Sequence, residues 1–236
     1  MKKSRIATLI VFFVLIPLTL IVGSRLSGRA FYVTSTLVIV ELLIPFFLAF
    51  EGRRPQAREL VVLAVMCALA VAGRVAIPIP SFKAIFGIIM IAGIAFGPES
   101  GFLVGAISAL ASNFFYSQGS YTPWQMMAYG AGGMLAGFVF AQGRLPRKPV
   151  VMGIFGFLAV TFFVGPLLDT CSVFLVMSRI SLKGAMAFYI SGFPVNLRQA
   201  VATAIVLLVL GKPLLEKLDR IKTKYGILDD EGRKGA

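Results

Sequence analysis

Charge is almost absent from long stretches of this chain. Apolar segments run at approximately 6–23, 33–50, 59–77, 84–97, 100–116, 124–141, 150–168 and 187–211, and most Lys, Arg, Asp and Glu residues lie between them. A bilayer span needs about 18–20 consecutive apolar residues, because its backbone must satisfy itself in a solvent without hydrogen bonds. Several of these segments reach that length. With 58% apolar and 14% charged residues, the chain departs far from the roughly 25% charge of a soluble domain. The reading is an all-α, polytopic membrane helical bundle. Outer-membrane barrels do not fit, since their strands alternate and give no such runs.

Two segments depart from the simple pattern. The one at 84–97 is short and holds Gly87, Gly93 and Gly97, which reads as a tilted or closely packed helix. The stretch 169–186 is apolar only from Cys171 to Met177 before Arg179 and Lys183. It is expected to be re-entrant or interfacial, too short to cross. The start, Met1-Lys2-Lys3-Ser4-Arg5, resembles a signal peptide. Without a clean small-residue cleavage site it reads as a retained span.

Charge fixes the expected orientation. Most of the 23 Lys and Arg residues fall in the N-terminus, the loop 51–58, the loop 142–149 and the C-terminal tail. Eight spans put all four on one side, which the positive-inside rule makes cytoplasmic, with both termini there. The net charge of +13 is thereby accounted for, and no nucleic-acid partner is needed.

The composition also excludes chemistry. There are no histidines, so zinc sites of the HExxH type and Ser–His or Cys–His catalytic pairs are ruled out. Cys67 and Cys171 are isolated in apolar contexts and form no CxxC motif, and both read as core packing. No metal site and no cofactor is expected.

The loop 51–58 divides the chain. Residues 1–57 form a plain transmembrane hairpin and cytoplasmic loop, with Glu41 as its one intramembrane carboxylate, facing protein or water or else snorkelling or paired with an arginine. Residues 58–211, rich in Gly, Ala and Ser, form the expected compact core, since small residues let helices approach closely in lipid. Residues 212–236 are a basic cytoplasmic tail. In it Leu214, Leu215, Leu218, Ile221 and Tyr225 recur at the spacing of an amphipathic surface helix, and 229–236 read as disordered.

Several features invite function. Ala64, Ala68 and Ala72 share one helix face, which serves either packing within the chain or an interface with another protein. Arg74 precedes a proline-stiffened outer loop through Pro78, Pro80, Ser81, Phe82 and Lys83, either a lid or an ordinary turn. The segment from Asn113 to Gln125 mixes Tyr116, Gln118, Tyr121 and Trp124 with amides and carries no charge. It reads either as an interfacial aromatic belt or as the wall of a site for a neutral heterocycle. Asp169, Tyr189, Asn196 and Arg198 form a further polar set, either structural or functional, with an ion pair to Asp169 left open. Glycine pairs at 101/105 and 133/137, with Gly130, read as core packing.

The order of motifs in 58–211 resembles a known family. Ala57-Arg58-Glu59 leads into the alanine stripe and a proline-rich loop. Gly97-Pro98-Glu99-Ser100-Gly101, Asn113-Phe114-Phe115 and Thr122-Pro123-Trp124-Gln125-Met126 follow. This is similar to the substrate-binding S-components of energy-coupling factor (ECF) vitamin transporters. The resemblance implies a six-helix core that binds one vitamin from outside. It implies docking, through Ala64, Ala68 and Ala72, on a transmembrane coupling subunit joined to two ATPase subunits. It implies that the loop 78–82 gates the ligand and that the protein topples to release it. Arg74, Ser81, Phe82, Lys83, Asn113, Tyr116, Gln118, Tyr121, Trp124, Gln125, Asp169, Tyr189 and Asn196 are the expected substrate-binding residues.

The likeness is closest to cobalamin S-components, and a wide uncharged aromatic wall suits a corrinoid. Riboflavin or a queuosine-type base suits it almost as well. The hairpin 1–50 departs from the six-span pattern, so no family role carries over to it. The rival readings are a stand-alone secondary transporter, for which only Asp169 offers a coupling carboxylate in the core, and an intramembrane enzyme, for which no nucleophile with a base is evident.

Overall fold

A computed structural model describes residues 10–16, 18, 19, 22, 30–52, 56–141, 143–177 and 181–227. Among them the regular structure is helical throughout. Helix α1 is Ala30–Gly52, α2 Ala57–Val75, α3 Ile85–Phe96 and α4 Pro98–Tyr116. Helix α5, Thr122–Ala136, continues through a π-helical stretch at Gly137–Ala141. Helix α6 is Pro149–Val176 and α7 Leu182–Tyr225. A π-helical stretch at Val11–Leu15 packs against α1. The rest of the expected first span, Arg53, Arg54, Arg179 and the terminal stretch 229–236 lie outside the described residues.

Helix α3 is the axis of the bundle. All its residues are buried, and α2, α4, α5 and α7 surround it. Its 12 residues cover about 18 Å, well short of a hydrocarbon core about 30 Å thick. Glycine makes the packing possible. A Cβ on Gly93 would lie 2.1 Å from the carbonyl oxygen of Gly133, and one on Gly101 2.5 Å from the same atom. A Cβ on Gly105 would meet the Tyr129 carbonyl oxygen at 2.4 Å. The backbones of α3, α4 and α5 therefore touch directly, the small-residue packing read in the sequence. Gly97, at φ +94°, turns the chain from α3 into α4, and Pro98 starts the new helix.

The C-terminal end of α3 is closed by cations. Arg147 donates to the Ile94 carbonyl at 3.1 Å and Lys222 to that of Ala95 at 2.7 Å. Both satisfy carbonyls that the helix end leaves open, and both sit at the negative end of its dipole. Arg147 also pairs with Asp219 at 3.4 Å, and Arg58 lies 5.9 Å from the Tyr225 ring centre. Basic residues from the start of α2, the α5–α6 loop and the end of α7 thus meet at one end of the bundle, the grouping that the charge pattern assigns to one membrane side.

Two sequence expectations are corrected. The apolar start of the stretch 169–186 is not a separate segment, because α6 runs unbroken to Val176, and Leu182 onward belongs to α7. A π-helical stretch at Val160–Val164 precedes Pro166, which stands where the following turn needs no amide donor. Thr170 then returns its hydroxyl to the Pro166 carbonyl at 2.7 Å, which keeps the polar residue inside the helix. The tail from Pro213 is likewise no separate surface helix. It is the end of α7, a single helix of 44 residues whose buried face continues through Leu207, Gly211, Leu215 and Leu218. Ser181 caps its start by accepting from the Gly184 amide, and Gly226 ends it in the left-handed region.

Helix α1 packs on α4, α5 and α6. Ile39 is buried with Trp124 and Cys171, and Phe47 meets Phe102 edge-on at 6.5 Å. Glu41 faces protein, accepting a hydrogen bond from Thr19 Oγ1 at 2.5 Å. By length and apolarity two of the described helices, α6 and α7, can each cross a bilayer alone.

Candidate functional site

Away from the cation-closed end of α3, near its N-terminus, the helices border a partly open cavity of about 280 Å³. Arg74, Ser81 and Lys83 line it from the end of α2 and the loop after it. Phe86, Tyr116 and Tyr129 line it from α3, α4 and α5. Helix α6 adds Val160, Gly165 and Leu168, and α7 adds Val195, Asn196 and Gln199.

Arg74 organises one wall. It lies in the last turn of α2, where a cation suits the helix dipole. Its Nη1 donates to Ser112 Oγ at 2.5 Å and Asn113 Oδ1 at 2.9 Å. Its guanidinium lies 4.9 Å from the Tyr116 ring centre and 5.6 Å from that of Tyr129, within cation–π range of both. The Tyr116 hydroxyl donates to the Arg74 carbonyl at 3.0 Å, closing the unit.

Lys83 approaches the same ring, with Nζ 5.9 Å from its centre, and donates to the Ile77 carbonyl. Gln199 Nε2 donates to the Lys83 carbonyl at 2.6 Å, tying the loop to α7. Ser81 takes φ +58°, an uncommon value for a residue with a side chain, at the cavity wall.

The structure gathers some of the expected binding residues and separates others. Arg74, Ser81, Lys83, Tyr116 and Asn196 share the cavity. Asn113 is buried and committed elsewhere, with Nδ2 donating to Thr122 Oγ1 at 3.2 Å and Gln125 Oε1 at 2.8 Å. Asn113 and Gln125 thus hold Arg74 from behind. Gln118 and Tyr121 bond locally, Gln118 back to the Leu110 carbonyl of α4 at 3.0 Å and Tyr121 to the Ser117 carbonyl at 2.6 Å. Trp124 packs on Phe174 at 5.3 Å, in the cluster that seats α1. Phe82 is half-buried and closes a turn through its amide to the Ile79 carbonyl. None of these six lines the cavity.

Asp169 also lies outside the lining. It accepts from Asn196 Nδ2 at 2.7 Å, while Arg198 turns back to the Pro194 carbonyl at 3.3 Å. Its partner is therefore an amide and not that arginine. Glycines make room for the pair: a Cβ on Gly165 would meet the Asn196 side chain, and one on Gly192 the Asp169 carboxylate. Tyr189 is exposed and shares a 2.8 Å hydrogen bond with Thr170.

Sequence reasoning missed Phe86, Tyr129 and Gln199. Tyr129 and Gln199 carry a readable signal, a polar group inside an apolar run. Phe86 has none, since nothing distinguishes it from the other phenylalanines.

On α2, Ala64, Ala68 and Ala72 are exposed, while Leu63, Met66 and Ala70 are buried on the opposite face. The stripe is therefore not used for packing among the described residues.

The family model described as "ECF-type riboflavin transporter, S component" matches residues 55–216, well over half of the chain. No curated protein and no solved structure matches it.

Proposed function

The chain belongs to the ECF-type riboflavin transporter S-component family, and from that membership we propose that its cavity binds a flavin-like vitamin, riboflavin first, for delivery through an ATPase-driven coupling module. Membership makes it a substrate-binding subunit of a vitamin transporter, a membrane protein and not an enzyme. Such subunits work with a transmembrane coupling subunit and ATPase subunits.

The observation that carries the ligand reading is the cavity walled by Phe86, Tyr116 and Tyr129 within the matched residues. Flat aromatic faces with a few polar groups suit a planar heterocycle. The volume of about 280 Å³ lies just below the roughly 300–1,000 Å³ usual for ligand sites. A three-ring heterocycle is of that order, and a corrinoid with its side chains is far larger. The expectation of cobalamin therefore gives way to riboflavin: the family match does not support the corrinoid, and the cavity is small for it.

The exposed alanine stripe of α2 is the proposed docking face for the coupling subunit. The segment Pro78–Phe82, which brings Ser81 to the cavity, is the proposed gate. The cation-rich end is proposed to face the cytoplasm of a bacterial cell, with both termini there.

Calorimetric titration of the purified full chain with riboflavin and with cobalamin tests the reading. Saturable one-to-one binding of riboflavin is expected. Binding of cobalamin with no heat from riboflavin would overturn it.

A further inference from the structure

The cavity carries more positive charge than a neutral vitamin needs. Arg74 and Lys83 both line it and both lie over one ring, that of Tyr116, at 4.9 and 5.9 Å. No carboxylate is among the lining residues. Asp169, on α6, already accepts from Asn196 at 2.7 Å. Two like charges lining one largely apolar, partly open site repel one another, and an anion between them relieves that repulsion.

Their donors are also underused. A guanidinium has five N–H donors and an ammonium three. Arg74 places Nη1 on Ser112 and Asn113, and among the described residues its Nη2 and Nε make no hydrogen bond. Lys83 places one on the Ile77 carbonyl. Of the amides nearby, Asn196 gives one donor to Asp169 and Gln199 one to the Lys83 carbonyl. The charged donors that the site still offers are a planar fork and a point charge, the pair that recognises an oxyanion.

We infer that the cavity is built for a heterocycle bearing an anionic oxygen group, such as a phosphate monoester, held between Arg74 and Lys83. The ring system stacks among Phe86, Tyr116 and Tyr129, and the oxyanion takes the free donors. This rests on the flavin reading and narrows it: the phosphorylated flavin is preferred to the free vitamin.

Riboflavin and riboflavin 5′-phosphate provide the test, by flavin fluorescence titration of the purified full chain, of Lys83→Gln and of Lys83→Arg. Wild type is expected to bind the phosphate ester at least about tenfold tighter. The ratio should fall toward one in Lys83→Gln and persist in Lys83→Arg. Equal or tighter binding of riboflavin by wild type would overturn the inference and leave the flavin reading standing. Binding of neither flavin by wild type would overturn both. Should Lys83→Gln bind neither, the wild-type ratio alone decides.

Discussion

Arg74 shows how one side chain serves fold and site together. Its Nη1 satisfies Ser112 and Asn113, both buried, and its plane covers Tyr116 and Tyr129. Arg74→Met keeps the length of the side chain and removes the donors, stranding the Asn113 carbonyl oxygen away from water. A stability loss of about 1–3 kcal/mol is expected in thermal unfolding, together with a drop in flavin affinity of at least tenfold. Retained affinity would mean that Arg74 is only a strut. Gly133 tests packing alone. Its Cβ would sit 2.3 Å from the Gly101 carbonyl oxygen and 2.7 Å from Ile89 Cγ2, and backbone cannot yield as a side-chain tip can. Gly133→Ala should cost roughly 1–3 kcal/mol or prevent folding, as overpacking does in tight cores. An unchanged melting temperature would contradict the direct backbone contact. Arg74 and Asn196 were legible in the sequence because a polar residue in an apolar run needs a partner. Asn113 and Gln125 were equally conspicuous, yet Asn113 holds Arg74 and Gln125 holds Asn113, and a linear pattern cannot tell lining a cavity from bracing its wall.

Among the elements, α2 has one buried face and one exposed face. Leu63, Met66 and Ala70 hold it to the bundle, and Ala64, Ala68 and Ala72 are exposed. The fourfold spacing was readable, but the choice between internal packing and an external partner was not, because spacing fixes a face and not what covers it. Ala68→Phe should therefore fold and bind flavin like wild type, while vitamin uptake in cells carrying the coupling module falls to background. Uptake at the wild-type level would remove α2 from the docking interface. The ends of α6 and α7 were misread for a related reason. Hydropathy stops at Asp169 and again at Pro213, but the helices do not. Thr170 bonds back to its own helix, a π-helical stretch accommodates Pro166, and α7 buries Leu215 and Leu218 beyond Pro213.

At the scale of the whole molecule, the two ends differ in kind. One sets Arg147 and Lys222 on the last carbonyls of α3, with Arg58 at the Tyr225 ring. The other holds the cavity with Arg74 and Lys83. Helix α1 covers part of α4, α5 and α6, which leaves the alanine face of α2 open to a partner. This arrangement fits a substrate-binding subunit that relies on a partner for energy. An ion-coupled carrier places a carboxylate where substrate and ion meet, and no carboxylate lines this cavity. Glu41 accepts from Thr19, Glu59 from Ser100 and Asp169 from Asn196. The chain also has no GxxxxGK[ST] phosphate loop with which to spend ATP itself. Reconstituted alone in liposomes, the protein should bind riboflavin or its phosphate ester yet accumulate neither under a proton or sodium gradient. Accumulation should begin only when the coupling subunit and both ATPases are present with ATP on their side of the membrane. Gradient-driven accumulation by the chain alone would return the reading to a secondary transporter, and Asp169→Asn would then be the variant to stop it. Failure of the complete complex to transport, with binding intact, would instead place the fault in docking, where Ala64, Ala68 and Ala72 are the residues to examine.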